Sequence, residues 1–375
     1  MANSKRGEKC EAVVVFGPLA PEEERPAVAL RAHSAQRSAF IQARQKRQQT
    51  ITAEALAKCQ ASQPDVIAIS IGATALPVAT VEVNQRSLLQ LAEQPRVVAI
   101  MPNQPIFLIE PTQVTNDDLG KQESKKGMTW GLEQLEIPKV WERTQGAGVR
   151  VAVLDTGVFS QHEALAGRVT DYTLIDPLGR RIATTPHFDG GNHGTHVCGT
   201  IAGGKTAAGV SIGVAPAAEL LVASVLVGSS TLRTLLEGID WAVENGANII
   251  NMSLGFSYYE PLFAQVFDIL MLQYDVLPVV AIGNENHGNS SSPGNAYNSL
   301  AAGAVERKPY RKTEVTFFSS GASLTYPGPG APDLVVKPDV VAPGAQVYSC
   351  VPPTSATSQT SSYAYMAGTS MATPH

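Results

Sequence analysis

The N-terminal third of the chain alternates short β-branched runs with segments that carry apolar residues at helical spacing. Val66 to Ile71 and Val78 to Val83 flank a Gly-Ala-Thr-Ala-Leu-Pro connection, which is typical of a hairpin. The order βαββαβ predicts a ferredoxin-like α+β domain. Because this topology serves many functions, a free-standing binding module is an alternative. The predicted strands are Glu11 to Phe16, Val66 to Ile71, Val78 to Val83 and Arg96 to Met101, and the predicted helices run from about Pro26 through Cys59 and from Arg86 to Gln94.

From Gly146 onward, continuous runs of Val, Ile, Leu and Ala alternate with Gly-rich turns and helical segments. Uninterrupted apolar runs are typical of strands buried on both faces of a parallel sheet. The alternation predicts an α/β fold with helices on both faces of that sheet. Strands are predicted at Val149 to Leu154, Leu220 to Val225, Ile249 to Leu254 and Val276 to Ile282, and helices at Thr231 to Glu244 and Tyr259 to Gln273.

Charge places a boundary between these two patterns. Residues 1–126 carry 15 Lys and Arg against 13 Asp and Glu, whereas residues 127–375 carry 13 against 20. The stretch Asn116 to Lys126 is polar and almost free of apolar residues, which is typical of an exposed, protease-accessible linker. We therefore predict a first domain at 1–115, a linker at 116–127 and a second domain at 128–375.

Overall composition excludes several classes of protein. Of 375 residues, 16% are charged and 44% are hydrophobic, which predicts a folded chain, and the net charge of -5 argues against a nucleic-acid partner. No run approaches the ~18 apolar residues of a membrane helix, so no membrane partner is expected. The first residues contain no signal-peptide core, which predicts a cytoplasmic protein as the sequence stands. We expect a monomer.

The four cysteines lack the paired spacing of a zinc site and the density of a disulfide framework. Free, buried thiols in a reducing compartment are therefore expected at Cys10, Cys59, Cys198 and Cys350.

Three polar signals occur where an open α/β sheet binds its ligands, beyond the carboxyl ends of the strands. Asp155 ends an apolar strand, where a buried carboxylate requires hydrogen-bonding partners. His193 begins a Gly-rich helical segment, Asn-His-Gly-Thr-His-Val-Cys-Gly. Ser370 lies in Ala-Gly-Thr-Ser-Met-Ala-Thr-Pro-His, a tight turn that leads into a helix. Each signal alone is more often structural than catalytic, but their combination in one α/β domain is specific.

In the order Asp, His, Ser, these motifs resemble those of the subtilisin-like serine proteases, the subtilase or S8 peptidase family. The resemblance implies a serine endopeptidase that hydrolyses peptide bonds through an acyl-enzyme intermediate. Ser370 would be the nucleophile, and His193 would take its proton and return it to the leaving amine. Asp155 would orient His193 and stabilise the imidazolium.

The resemblance also implies an oxyanion hole and a substrate cleft. In the segment Ala281-Ile282-Gly283-Asn284-Glu285, the Asn284 side chain would donate to the oxyanion together with the Ser370 backbone N–H. Peptide substrates would bind as an added strand, and glycines would let the two backbones approach each other. The residues implied in substrate binding are Ser253, Leu254 and Gly255 on one side, Val227, Gly228 and Ser229 on the other, and Ala281 and Gly283 beside Asn284, with Glu285 at the rim of the specificity pocket.

The N-terminal domain resembles the inhibitory propeptide of this family, which implies a self-inhibited zymogen. Trp130-Gly131-Leu132 with Pro138 to Trp141 resembles a mature N-terminus, so self-cleavage is expected in the linker at 116–127. The implied partners are protein or peptide substrates and the chain's own propeptide. Relatives are often secreted, in contrast to the expectation from the N-terminus.

Two positions depart from the family pattern. Cys198 replaces a small apolar residue, and it is either a core residue or a mercurial-sensitive thiol beside the site. The loop Gly203 to Ser211 aligns with a region that often supplies calcium ligands, but it contains no Asp, Asn or Glu. Calcium requires several oxygen ligands, so this loop does not support a calcium site. We expect no required cofactor and no metal among the site residues, and structural calcium stays optional.

Two other functions are consistent with parts of the sequence. His193 and His196 have the i, i+3 spacing of possible zinc ligands, but the His-Glu-x-x-His pattern of zinc hydrolases is absent. A catalytically inactive subtilase-fold protein that binds peptides is the second alternative. Covalent labelling of Ser370 by a fluorophosphonate separates the serine protease from both.

The chain continues for only five residues beyond Ser370. In subtilases this segment opens a long helix that is followed by further strands, so we expect a C-terminally truncated chain. The missing elements would leave the sheet residues Val151, Val153, Ile249 and Ile250 partly exposed. A helix this short is below the ~12 residues of marginal stability, so the chain is expected to be poorly folded or inactive until it is extended.

Overall fold

A computed structural model describes residues 8–17, 35–70, 75–114, 117–308, 312–326, 333–353 and 362–375. The contacts divide the chain into two compact units. The first comprises Met1–Ile106, Ile175–Arg180 and Gly228–Gly246, and the second comprises Phe107–Leu174, Arg181–Val227 and Ala247–His375. No helix in the described ranges is long and apolar enough to span a membrane.

The first unit has the predicted βαββαβ order. Its elements are β1 (Cys10–Phe16), α1 (Ala35–Ser62), β2 (Ile67–Ser70), β3 (Val78–Val83), α2 (Gln85–Ala92) and β4 (Val97–Pro102). The strands form one antiparallel sheet in the order β2-β3-β1-β4, which is the ferredoxin-like arrangement. Leu56 and Cys59 of α1 share a buried cluster with Val14 and Val81 of the sheet. The predicted beginning of the first helix, 26–34, and residues 71–74 of the hairpin lie outside the described residues.

Helix α7 (Leu232–Glu244) belongs to this first unit, although the sequence pattern assigns it to the α/β domain. It begins at Thr231, whose backbone N–H donates to Thr234 Oγ1 at 3.0 Å. In the same unit, Arg37 Nη1 donates to the carbonyl of Gly246 at 2.7 Å, just beyond the end of α7. The helix predicted at Thr231 to Glu244 is therefore present, and the contacts group it with the first unit.

The second unit begins with elements that the sequence analysis assigned to the first domain and the linker. They are β5 (Phe107–Leu108), β6 (Thr112–Val114), α3 (Asp117–Lys126), α4 (Trp130–Gln134) and α5 (Ile137–Trp141). The predicted exposed linker is wrong, because the residues of α3 form a helix in which Leu119 and Glu123 are buried. Lys125 and Lys126 in its last turn favour the helix through its dipole.

Within the described residues, the main sheet of the second unit has nine strands. They are β7 (Arg150–Asp155), β8 (Val169–Ile175), β9 (Arg181–Ile182), β10 (Glu219–Ser224), β11 (Ile249–Met252), β13 (Leu277–Ala281), β14 (Leu300–Arg307), β15 (Thr313–Val315) and β18 (Val340–Pro343). The order is β15-β14-β13-β11-β7-β10-β8-β9, and β18 pairs with β14. The pairs from β14 through β8 are parallel, which confirms the α/β class and all four predicted strands.

The remaining elements surround this sheet. They are a short 3-10 helix (Glu163–Leu165), α6 (His193–Ala202), β12 (Leu254–Gly255), α8 (Leu262–Tyr274), β16 (Ala322–Leu324), β17 (Val335–Lys337), β19 (Val347–Val351), β20 (Ser362–Ala367) and α9 (Thr369–Ala372). Val197 of α6 and Met371 of α9 share a buried cluster with Val151, Val153 and Val222 of the sheet.

The sheet residues expected to be uncovered are largely buried. Val151 is 6% exposed, Val153 and Ile250 are 0% exposed, and Ile249 is half-buried. The expectation of exposed sheet residues is therefore wrong for the first three. The physical reason is that α6 and the short α9 already lie in the cluster that contains Val151 and Val153.

Candidate active site

Asp155 and His193 are brought together at the carboxyl end of β7. Asp155 is fully buried, and its Oδ1 lies 2.8 Å from His193 Nδ1 and accepts the backbone N–H of Thr156 at 2.7 Å. Helix α6 begins at His193 and approaches the strand end closely, since a Cβ on Gly194 would lie 2.1 Å from the Gly157 carbonyl. Glycine is required at 194 for this approach.

Asp189 stabilises the surroundings of the Asp155–His193 pair, and no motif in the sequence pointed to it. Its Oδ1 accepts the Thr156 hydroxyl at 2.6 Å, and its Oδ2 accepts the backbone N–H and the hydroxyl of Thr195 at 2.8 and 2.6 Å. The Thr156 hydroxyl in turn accepts the N–H of Gly194 at 3.0 Å. Asp189 therefore ties the residue after Asp155 to the first turn of α6. Its only signal in the sequence is an acid four residues before His193.

Ser370 is the second residue of α9, and it is fully buried by a segment of its own chain. Its hydroxyl donates to the carbonyl of Ile109 at 2.7 Å. Among the described residues, His193 Nε2 has no hydrogen-bond partner. The hydroxyl proton that His193 would accept is thus directed at a peptide carbonyl.

Residues 107–114, here called the docked segment, pass through the site in extended conformation. β5 pairs antiparallel with β12, with Leu108 opposite Leu254 and Phe107 opposite Gly255. The backbone N–H of Ile109 donates to the Ser253 carbonyl at 3.2 Å. The three residues predicted to pair with a peptide substrate, 253–255, therefore pair with this segment.

Gly255 has a structural reason to be glycine. Its φ of +153° is rarely adopted by other residues, and a Cβ would lie 1.7 Å from the Ser292 carbonyl. The close approach predicted at this glycine is real, but the atom approached belongs to Ser292 rather than to a substrate. Gly228 has a φ of +64°, and a Cβ there would lie 3.8 Å from the Pro177 side chain without a clash, so the requirement for glycine is conformational.

Asn284 follows β13 and lies against both α9 and the docked segment. Its Oδ1 accepts the backbone N–H and the hydroxyl of Thr369, both at 2.9 Å, and its Nδ2 donates to the Glu110 carbonyl at 3.0 Å. The contacted carbonyl is therefore one residue beyond the carbonyl that contacts Ser370. The backbone N–H of Gly283 donates to Thr369 Oγ1 at 3.3 Å. Ala281 is the last residue of β13 and is buried.

The residues predicted to line the other side of the substrate cleft are divided between the two units. Val227 belongs to the second unit, whereas Gly228 and Ser229 belong to the first. Within the first unit, the next residue, Ser230, accepts the N–H of Ile106 at 3.1 Å. Glu285 is exposed, and its Oε2 accepts the hydroxyls of Ser291 and Ser320 at 2.9 and 3.0 Å.

His196 is a packed helix residue. Its Nε2 lies 3.1 Å from the Val347 carbonyl and 3.2 Å from the Ala364 carbonyl. Burial, with a smaller contribution from the neighbouring His193, lowers the pKa of His196 to about 3, so the ring is neutral and Nε2 donates. The described residues contain no group of three or more His, Cys, Asp or Glu that would hold a metal ion.

The cysteines are free thiols. Cys59, Cys198 and Cys350 are buried, and Cys10 is partly buried. Burial raises the pKa of Cys198 well above its ordinary value and that of Cys350 to about 12. Neither of these two thiols ionises near neutral pH, which supports the interpretation of Cys198 as a core residue.

Comparisons with known proteins find relatives in a single family. The subtilase family model matches residues 146–375. Subtilisin Savinase of Lederbergia lenta is 34% identical over 253 residues, which cover 67% of this chain and 81% of that protein. Alkaline elastase YaB of Bacillus sp. is 34% identical over 80% of this chain and 67% of its own length, and subtilisin E of Bacillus subtilis is 33% identical over 68% and 60%.

A solved structure has the same fold. Fervidolysin from Fervidobacterium pennivorans, described as a keratinolytic enzyme related to subtilisin, aligns with all of this chain and 54% of its own at a TM-score of 0.67 and 21% identity. That identity is low, so this similarity concerns the fold alone. The family match over residues 146–375 and the subtilisins that are 33–34% identical show that the chain belongs to the subtilase family of serine-type endopeptidases.

Proposed function

We propose that this protein hydrolyses peptide bonds with Ser370 as nucleophile, His193 as general base and acid, and Asp155 as the group that orients His193. The buried Asp155 Oδ1, 2.8 Å from His193 Nδ1, fixes the tautomer that leaves Nε2 free to accept the seryl proton. Attack on the carbonyl carbon gives an oxyanion, which Asn284 stabilises by donating from Nδ2. Collapse expels the amine, protonated by His193, and leaves an acyl-enzyme that water hydrolyses.

The docked segment carries this proposal, because it occupies the site in the manner of a peptide substrate. Its residues 107–109 pair with 253–255, and the Ile109 carbonyl lies on the Ser370 hydroxyl. This register makes Ile109–Glu110 the bond presented to Ser370. The next bond, Glu110–Pro111, is a tertiary amide, although Asn284 contacts its carbonyl. We assign self-cleavage to Ile109–Glu110 rather than to the 116–127 linker, which is helical.

The same contacts support a self-inhibited zymogen. The Ser370 hydroxyl donates to Ile109 rather than to His193, so the nucleophile is not activated in this arrangement. Attack requires the hydroxyl to rotate toward His193 and the Ile109 carbonyl to move to the Asn284 amide. Residues 1–109 act as the propeptide, and the further partners are protein or peptide substrates.

Fluorophosphonate labelling and mass spectrometry of the full chain test the proposal. We expect covalent labelling at Ser370, a new N-terminus at Glu110, and neither in Ser370→Ala. Labelling without cleavage of any peptide, or no labelling of a folded chain, would favour the inactive peptide-binding alternative. A new N-terminus at Pro111 would instead show that the Asn284 contact sets the register.

A further inference from the structure

The docked segment continues past the proposed bond and pairs with a second strand. Residues 112–114, which form β6, lie antiparallel to β20, with Thr112 opposite Ala367, Gln113 opposite Met366 and Val114 opposite Tyr365. β19 pairs with the other side of β20, so β20 is central in this three-stranded sheet. β20 ends three residues before Ser370. The third to fifth residues after the Ile109–Glu110 bond therefore pair with β20, the strand that leads directly to Ser370.

β20 is held in place from the side opposite to β6. Met366 is fully buried in the core cluster of the second unit. His196 contacts the carbonyls of Val347 in β19 and Ala364 in β20, which ties both strands to the helix that begins at His193. The rings of Tyr348 and Tyr365 add a contact between these strands, with centroids 4.8 Å apart. The edge that receives β6 is thus supported by contacts in which β6 takes no part.

β6 contributes mainly backbone to this pairing. The side chains of Thr112 and Gln113 are exposed. Pairing of this kind depends little on side-chain identity, but proline disrupts it because it lacks an N–H. Beside Gln113 lies a cavity of about 490 Å³, whose lining includes Asn192, Pro352 and Tyr363 and which offers room for the side chain of the fourth residue.

We propose that the edge of β20 is a substrate-binding subsite for the third to fifth residues after the cleaved bond. The ligand class is a polypeptide that extends at least five residues beyond the bond and adds to β20 as an antiparallel strand in place of β6. Short peptides lack these residues, and proline at the third and fourth positions is disfavoured. The inference rests on the proposed function, because it concerns the substrate of that same site.

Peptides of two lengths test this subsite on the self-cleaved full chain, with active enzyme counted by fluorophosphonate titration. Both carry Pro-Ile-Phe-Leu-Ile before the bond and Glu-Pro after it, and the longer one continues with Thr-Gln-Val, as in residues 105–114. We expect kcat/KM to be at least about tenfold higher for the longer peptide. Replacing Thr-Gln by Ala-Ala should preserve that gain, and replacing it by Pro-Pro should abolish it.

A pair of enzyme variants tests whether β6 occupies the same edge. A chain with Thr112→Pro and Gln113→Pro cannot pair β6 normally, whereas the matched Thr112→Ala and Gln113→Ala chain can. The proline chain should itself self-cleave more slowly, so the two chains are compared after complete self-cleavage and per fluorophosphonate-titrated enzyme. On that basis we expect the proline chain to cleave the long peptide faster than the alanine chain does, and both chains to cleave the short peptide equally well.

Equal kcat/KM for the short, long and Pro-Pro peptides would overturn the inference and leave the proposed function intact, since hydrolysis would have been observed. Absence of both hydrolysis and Ser370 labelling would overturn the proposed function, and the subsite would be rejected with it.

Discussion

Asn284 is positioned by Thr369, the residue that precedes the proposed nucleophile Ser370. Both the backbone N–H and the hydroxyl of Thr369 donate to Asn284 Oδ1, which turns Nδ2 toward the docked segment. We expect Asn284→Ala to lower kcat by about a hundredfold or more with little change in KM, the loss known for removing this kind of donor from subtilisin. Steady-state kinetics on a peptide substrate measures it, and an unchanged kcat would contradict the oxyanion role.

Asp189 acts on the reaction through its neighbours. Because it joins Thr156 to Thr195, its loss should loosen both the turn after Asp155 and the first turn of α6. We expect Asp189→Ala to lower kcat by about ten- to a hundredfold, because small misplacements of catalytic groups are costly. Asp189→Asn keeps one oxygen acceptor and should lose less.

The kcat, KM and rate of fluorophosphonate labelling of Asp189→Ala and Asp189→Asn show whether Asp189 positions the catalytic groups or only stabilises the fold. A merely structural role would lower the melting temperature of Asp189→Ala and leave kcat per labelled enzyme unchanged.

Candidate functional residues could be singled out from the sequence where they lie in a recognisable motif. Asp155, His193 and Ser370 were singled out because a strand-end acid, a Gly-flanked histidine and a Gly-Thr-Ser turn occur together in one α/β domain, and Asn284 was implied by the family resemblance. Asp189 was not, because an acid in a Gly-rich loop has no distinctive pattern, and its role depends on two threonines that only the fold brings to it.

At the scale of elements, β19 and β20 are tied to α6 by one neutral histidine. The pKa of His196 is lowered from 6.5 to about 3, so between these values the unfolded chain binds a proton that the folded chain does not. Unfolding free energy should therefore fall as the pH drops from about 6.5 toward 3. His375, whose pKa burial lowers to about 4, acts in the same direction.

Melting temperatures measured from about pH 7 to pH 4 check this prediction. His196→Gln retains a side-chain N–H donor but cannot titrate, so its melting temperature should fall less steeply with acid than that of the parent. Equal slopes for the two chains would show that other groups control the acid sensitivity.

Buried strands were easier to predict from the sequence than the segments that connect the two domains. Buried strands such as β7 and β10 have uninterrupted apolar runs, whereas α3 has a single buried apolar residue, Leu119, and therefore was predicted as a linker. Its anchor is instead Glu123, which accepts the Trp130 N–H at 2.8 Å and the Tyr365 hydroxyl at 2.6 Å. Burial raises the pKa of Glu123, and no local pattern marks a carboxylate that has one partner, Tyr365, 242 residues away.

For the whole molecule, the fold class was predictable from the sequence, but the division into units was not. The predicted boundary at 115 follows composition, whereas the contacts divide the chain after Ile106. The difference arises because β5 and β6 pair with β12 and β20, strands that lie well over a hundred residues later. Pairing over such separations is determined by the completed fold and leaves no local signal.

The docked segment lies on the Ser370 of its own chain, so self-cleavage should be intramolecular. Tethering supplies an effective concentration that does not change when the protein is diluted. We expect the fraction of chain cleaved at Ile109–Glu110 to follow first-order kinetics with one rate constant over an about hundredfold range of protein concentration. A gel time course measures this, with the Ser370→Ala chain, carrying a distinguishable tag, as a bystander. That bystander should stay intact while the active chain is processed, because its Ile109–Glu110 bond is held in its own inactive site and is not accessible to a second molecule. A rate that rises with concentration, together with cutting of the bystander, would show that cleavage occurs between molecules and that the observed docking is not the reactive encounter.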